Sequence, residues 1–218
     1  MLQKERRLDY ANLRRNRPEI YWHKILFTDE KIFRSTNNTL RLLVTRRSNE
    51  RLKPSCVVRS RKYGIQCHVW GAVSWRGVGP IRLVIGNLNA VKYQNEVIYD
   101  VANMCTYQGA GRMEKMIFQQ DNARAHSAQS TLHFLEESGV QTLDWPANSP
   151  DLNPIEEVWA HVAQRVRSYG QPRTVAQLWQ WVQSEWQRTP IDYVRSIIRS
   201  IPARLQEVIA NNGDYTHY

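Results

Sequence analysis

Hydrophobic and polar residues alternate along this chain with two different periods, and the change from one to the other separates strands from helices. Between His23 and Phe33 (HKILFTDEKIF), a two-residue period puts Ile25, Phe27 and Asp29 on one face and Leu26, Thr28 and Glu30 on the other. Residues 39–45 (TLRLLVT) and 66–74 (QCHVWGAVS) have the β-branched and apolar content of two further strands. Gly77 and Gly79-Pro80 mark a turn, after which residues 81–85 predict another short strand. A helix is expected over residues 91–104, with Val91, Val97, Ile98 and Val101 partly on one face. The apolar run Met116, Ile117, Phe118 passes through Gln119 and Gln120 to Asp121, which is how a buried strand delivers a carboxylate to a sheet edge. Residues 127–138 then predict a helix closed by Gly139, and residues 140–145 a last strand.

Helical periodicity takes over in the last third. SPDLNP is turn chemistry, and Asn153-Pro154 reads as an N-cap followed by proline at the first helical position. Ile155, Val158, Trp159, Val162 and Val166 define the face of that helix that packs inward. At about 100° per residue, Glu156 borders this face and Glu157 points nearly away from it. A second amphipathic helix follows from Val175, Leu178, Trp179, Val182 and Trp186, and a third from Ile191, Val194, Ile198 and Ile201. Pro202 interrupts that pattern and Asn211-Asn212-Gly213 ends it. At the other end, residues 1–19 read as a basic helix or lead-in with only a thin apolar stripe. The division expected is therefore a basic lead-in over 1–21, an α/β core with a mixed sheet over 22–168, and C-terminal helices packed on it over 169–218.

Composition narrows the class of partner. The chain has 218 residues, 42% of them hydrophobic, with eight tryptophans, which describes a globular protein. A formal charge of +10 and a pI near 9.8 favour a polyanion. No apolar run approaches a membrane span, and charged residues follow Met1 closely, so no membrane partner is expected. The cysteines, Cys56, Cys67 and Cys105, form no C-x-x-C pair and predict neither a disulfide framework nor a zinc ribbon. Much of the excess charge sits in residues 46–64, where Arg46, Arg47, Arg51, Lys53, Arg59, Arg61 and Lys62 face the single acid Glu50. A connection this long is uncommon unless it has a function or is disordered.

Three acids stand out by their placement. Asp29 shares a strand face with apolar neighbours, Asp121 ends a buried run, and Glu156 opens a helix beside its packing face. Converging carboxylates of this kind are what hard divalent cations require. Each acid also has an ordinary role open to it: Glu156 as a capping-box acid, Asp29 paired with a lysine, Asp121 capping the next helix. Asp151 is better explained by turn chemistry. His126 and Asn122, just beyond Asp121, are either structural hydrogen-bonders or groups at the rim of the site.

Together, FTDEKIF, FQQDNARAH and WPANSPDLNPIEEVW resemble the three acidic motifs of the Tc/mariner superfamily of cut-and-paste DNA transposases, in its Asp-Asp-Glu branch. VWGAVSWRGVGP resembles a further block between the first two, and the 34 residues from 122 to 155 match the spacing of that branch. Glu157 and Ala125 depart from the usual pattern without touching the acids. The resemblance implies a ribonuclease H-like catalytic domain in which Asp29, Asp121 and Glu156 are catalytic ligands of two Mg²⁺ ions, with Mn²⁺ as substitute. It further implies phosphodiester hydrolysis at transposon ends and strand transfer into target DNA, double-stranded DNA as partner, a possible homodimer and a nuclear location. On the same footing, Asn122, His126 and the seven cations of the basic connection are expected to contact DNA. A domesticated transposase acting as a DNA-binding scaffold is the alternative.

Overall fold

The computed structural model describes residues 2–35, 64–106 and 115–218. The expected strand over 39–45 and the basic connection carrying Arg46, Arg47, Arg51, Lys53, Arg59, Arg61 and Lys62 lie outside the described residues.

A mixed sheet forms the middle layer. Its strands are β1 (Ile25–Arg34), β2 (Gln66–Ser74), β3 (Gly77–Val84), β4 (Ile117–Gln119) and β5 (Gln141–Thr142), in the spatial order β3-β2-β1-β4-β5. The first three run antiparallel, whereas β4 pairs parallel with β1 and β5 parallel with β4. β3 begins four residues earlier than the expected strand. The chain reverses over Trp75 and Arg76 alone, with Ser74 opposite Gly77, whose φ of 103° suits a glycine at a tight hairpin. Pro80 is accommodated because β3 is an edge strand and needs no ladder N–H on its open side. β5 is shorter than expected, two residues long.

Both faces of the sheet are covered, so β1 is buried by alternation on either side. Leu26 joins Trp70, Ala72, Val84 and Phe118 beneath the helices α3 (Ala90–Tyr93), α4 (Tyr99–Thr106) and α5 (Gln129–Glu137). A π-helical stretch, Gln94–Ile98, links α3 to α4. This wider turn shifts the helical phase: Val97, Ile98 and Val101 are buried with Tyr93, and Val91, expected on the same face, is exposed. Ile25, Phe27, Phe33, Val69 and Val73 meet the opposite layer, formed by α6 (Ile155–Ser168), α7 (Val175–Gln187), α8 (Ile191–Arg199) and α9 (Ile201–Ala210). The five inward residues expected on α6 are the five that are buried. On α7 the face centres on Leu178, Val182, Glu185 and Trp186, with Val175 exposed.

Helix α1 (Leu2–Arg14), expected as a lead-in, is packed on this second layer. Tyr10 and Ala11 are buried in its core, and Arg7, 1% exposed, makes a two-pronged ion pair with Asp151 at 2.8 and 2.7 Å. Asp151 therefore does more than shape a turn: its carboxylate fastens the helix to the loop that precedes α6. Arg204 of α9, also buried, donates to the Asp151 carbonyl at 2.9 Å and pairs with Glu157. Guanidinium forks suit this work because one side chain satisfies several acceptors that burial would otherwise orphan. Cys67 and Cys105 are buried free thiols, pushed up to about 11 and about 12 by burial.

Gly71 decides how close α6 comes to the sheet. It stands opposite Asp29 in the β1/β2 register, and a Cβ there would lie 2.6 Å from the Trp159 ring and 3.1 Å from that of Trp186. Overpacking of a filled core typically costs about 1–3 kcal/mol. Gly71→Ala is therefore expected to lose about that much stability, read as a lower urea midpoint with an unchanged slope. A neutral result would mean that the two indoles have room to move.

Candidate active site

Three backbone positions converge because one buried hydrogen-bond node ties them together. Thr28, Gln119 and Asn153 are 2%, 0% and 5% exposed. The Thr28 N–H donates to Gln119 Oε1 at 3.0 Å, and the Thr28 hydroxyl donates to the Gln119 carbonyl at 2.7 Å. Asn153 Nδ2 donates to the Thr28 carbonyl at 3.1 Å and to Gln119 Oε1 at 3.4 Å. Each member sits one to three residues before an acid: Thr28 before Asp29, Gln119 before Asp121, Asn153 before Glu156. Asn153 also caps α6, since its Oδ1 accepts from the Ile155 N–H at 3.3 Å while Pro154 already has helical backbone.

Asp29, Asp121 and Glu156 line one cleft of about 410 Å³, with Asn122, Ala123, Asn153 and the residues 145–150 making up the rest of its wall. The structure thus brings together the three acids that the sequence singled out. Asn122 lies on the same wall, exposed, its Nδ2 donating to the Trp145 carbonyl at 3.0 Å. Among the described residues, no group of three or more His, Cys, Asp and Glu stands close enough to hold a metal ion as it is. Two of the three acids are instead paired with basic side chains of the chain itself. Lys31 Nζ meets Glu156 Oε2 at 2.7 Å, and His126 Nδ1 meets Asp121 Oδ1 at 2.6 Å.

Of the two roles open to His126, the structure shows the structural hydrogen-bonder. It is 3% exposed and offers no surface to a DNA strand. Its second nitrogen lies 3.2 Å from Glu30 Oε1, its ring lies 4.1 Å from the centroid of Tyr93, and Gln120 bonds both Tyr93 and the His126 carbonyl. Burial opposes its protonation, but the hydrogen bonds to Asp121 and Glu30 outweigh it and push the imidazole up to about 9. Asp121 shows the reciprocal effect: burial works against its charge, and the bonds from His126 and the Ala123 N–H bring it below the usual carboxylate range. Asp29 goes the other way. Burial first, then the charge of Glu156, push it up to about 8, with Glu30 and Asp121 adding to the repulsion.

Asp29 is raised chiefly by burial and further by the neighbouring acids, so among the described residues its charge is left without a compensating cation. Hard oxygen donors from Asp29, Asp121 and Glu156 supply the ligand type that Mg²⁺ and Mn²⁺ take, and an added cation would relieve the repulsion that raises Asp29. The residues fit the metal by that test. Lys31, Glu30, Gln119 and Asn153 were not singled out as site residues from sequence. The signal for Glu30 and Lys31 lay in the alternation of β1, which sends Glu30 to the His126 side and Lys31 to the side of Asp29.

Residues 24–179 match the DDE superfamily endonuclease family. The chain is 32% identical to the Tc3 transposase of Caenorhabditis elegans over 218 residues, 99% of this chain and 63% of that protein. It is 30% identical to the Tc1 transposase of the same organism over 209 residues, covering 95% of this chain and 74% of that one. The chain thus spans about two thirds of the length of these relatives. Among solved structures, the catalytic domain of Mos1 mariner transposase superposes with a TM-score of 0.75 at 19% identity, covering 99% of this chain and 96% of that one. The Mos1 mariner paired end complex with Mn gives 0.76 at 21% identity, covering 99% of this chain and 64% of that one. At that identity the likeness speaks for the fold, which is the ribonuclease H-like one expected. With the family match covering most of its length, the chain belongs to the DDE superfamily endonucleases, as a catalytic domain of the Tc/mariner transposase type.

Proposed function

We propose that this chain carries out metal-dependent phosphodiester cleavage at transposon ends and strand transfer into target DNA, with Asp29, Asp121 and Glu156 as its catalytic carboxylates. The observation that supports this best is the convergence of the three acids on one cleft under a single hydrogen-bond node. Two Mg²⁺ ions held by these acids would activate a water for attack and offset charge on the departing oxygen. The rest of the work belongs to the chain itself. His126 and the Ala123 N–H both bond Asp121 Oδ1, which fixes the carboxylate plane and leaves Oδ2 for a metal. Asn153 sets the start of α6 and with it the reach of Glu156. Double-stranded DNA is the substrate that the family suggests, and the +10 charge, with seven cations in the basic connection, suits it. Asn122, which lines the cleft, would be among the groups a DNA strand entering there meets.

The adjacent glutamates separate catalysis from stability. Glu156→Gln is expected to abolish Mg²⁺-dependent cleavage of DNA bearing the element's ends, while melting stays close to that of the parent. Glu157→Gln keeps cleavage but loses about 1 kcal/mol of stability, because the half-exposed Glu157 is the carboxylate partner of buried Arg204. Cleavage assays beside urea melts of both variants decide the matter, and loss of cleavage from Glu157→Gln alone would move the site by one residue.

Acidity gives a second test. The folded Asp29 carboxyl titrates near 8 against about 3.8 unfolded, so the folded state holds a proton that the unfolded state has lost between those values. This contribution to stability is full below about pH 4 and is lost as pH rises through 8. His126, raised to about 9, acts in the same direction between about 6.5 and 9. Metal-free protein should therefore weaken from pH 5 to 8.5, and millimolar Mn²⁺ should raise the melting temperature more at pH 8.5 than at pH 6. Asp29→Asn should flatten the pH dependence and abolish the Mn²⁺ response. A parent melt indifferent to Mn²⁺ across this range would contradict the metal assignment.

A further inference from the structure

Lys31 stands at a junction that the catalytic reading leaves unused. From β1 it reaches Glu156 Oε2 at 2.7 Å, and both side chains stay about one third exposed, at 38% and 31%. Glu156 lines the cleft of the three acids, whereas Lys31 lines a separate groove of about 440 Å³ between β1 and the end of α6. Among the described residues, the polar part of that groove comes from Lys31, Arg34, Ser35, Arg167 and Gln171, with no acid in the lining. Its floor, Phe33, Val166 and Leu178, belongs to the core and is fixed. Three cationic side chains along one groove, beside a cluster of acids that shares the Lys31–Glu156 pair with it, suit a chain of phosphates whose reacting member is to lie among those acids.

The pairing of Lys31 with Glu156 has a consequence for both partners. An ammonium at 2.7 Å occupies one oxygen of the carboxylate that a metal would use, so ammonium and metal compete for Glu156. Once a divalent cation holds that oxygen, the Lys31 charge loses its partner and needs another anion nearby. The four-carbon stem and partial exposure allow the ammonium to swing toward the groove without disturbing β1.

We propose that Lys31 is an exchangeable cation: it holds Glu156 while the site is metal-free, and transfers to a phosphate of the bound DNA strand when metal takes the carboxylate, with Arg34 and Arg167 gripping the same backbone along the groove. This inference rests on the assignment of Glu156 as a metal ligand. No bond is made or broken in the exchange, which trades one ion pair for two.

The test uses the 218-residue chain, its Lys31→Gln and Lys31→Arg variants, and the double variant Arg34→Gln/Arg167→Gln. Mn²⁺ affinity without DNA is measured calorimetrically. A 20-base-pair duplex is titrated by fluorescence anisotropy over a salt series, without divalent cation and again with Ca²⁺ at a fixed concentration. Lys31→Gln is expected to bind Mn²⁺ about two- to fivefold more tightly, since an exposed pair of this kind is lost as a competitor. In Ca²⁺ the same variant should lose about 0.9 from the slope of log affinity against log salt, the share of one phosphate contact, with no change in slope when divalent cation is absent. Lys31→Arg should keep the slope. Neutralising Arg34 and Arg167 should lower the slope in both conditions, by up to about 1.8.

Unchanged or weaker Mn²⁺ affinity in Lys31→Gln would overturn the holding role. A slope that falls equally with and without Ca²⁺, or in neither, would overturn the exchange, and an unaffected slope in the arginine pair would overturn the groove. Should the parent itself bind no Mn²⁺, the catalytic assignment fails, and the Lys31 inference falls with it. A parent that binds Mn²⁺ and cleaves DNA beside variants that behave as the parent does would sink the Lys31 inference alone.

Discussion

The hydrogen-bond node of Thr28, Gln119 and Asn153 is the constraint on which the site depends. The three acids come from segments far apart in the chain, the middle of β1, the loop just past β4 and the start of α6, and their side chains repel one another. Something has to hold the backbones together against that repulsion. The parallel ladder of β1 and β4 aligns Ile25, Leu26 and Phe27 with Ile117, Phe118 and Gln119, and the Gln119 side chain then crosses to the Thr28 N–H just past the last ladder pair. Asn153 completes the node from the loop before α6. Every bond of it is buried, where a lost partner would leave an orphaned polar group and cost about 1–3 kcal/mol. The approach of the three backbones to one cleft is thus built into the fold, while the side chains are not yet gathered closely enough to hold a metal ion.

Around this node the chain manages charge in two ways. Structural acids are satisfied by buried guanidinium groups: Asp151 by Arg7, and Glu157 by Arg204. The acids of the cleft are compensated only in part, Glu156 by a half-exposed lysine and Asp121 by a histidine, while Asp29 is left raised to about 8. Neighbouring positions on α6 illustrate the contrast, since Glu156 faces the cleft and Glu157 faces α9. An unrelieved carboxylate weakens the resting protein, which is the usual relation between a working site and stability. A cation brought by the reaction would supply what the fold withholds.

Much of this was legible in the sequence, for identifiable reasons. The inward face of α6 followed from helical spacing, the edge position of Asp121 from the apolar run before it, and the turn of Glu156 toward the cleft from about 100° per residue, whereas Glu157, expected to point away from the packing, meets buried Arg204 of α9. Motif resemblance joined the three acids, which spacing alone does not do. What escaped depended on long-range partners. Arg7 looked like one cation of a basic lead-in because its acceptor, Asp151, lies 144 residues away. The role of His126 stayed open between a structural hydrogen-bonder and a rim group because its burial comes from Tyr93 and Glu30, on other elements. Val91 was misplaced by a π turn that no periodicity announces, and the early start of β3 by a proline that only an edge strand accepts.

The central claim is that Asp29, Asp121 and Glu156 form one divalent-cation site whose resting partners are displaced on loading. Its most direct test is a crystal structure of the chain soaked in Mn²⁺ and recorded at the manganese absorption edge. The account predicts anomalous density among the three carboxylates, at the least beside Asp29 and Asp121, with Lys31 Nζ withdrawn from Glu156. Carboxylates free of density at saturating Mn²⁺, with Lys31 still on Glu156, would contradict it.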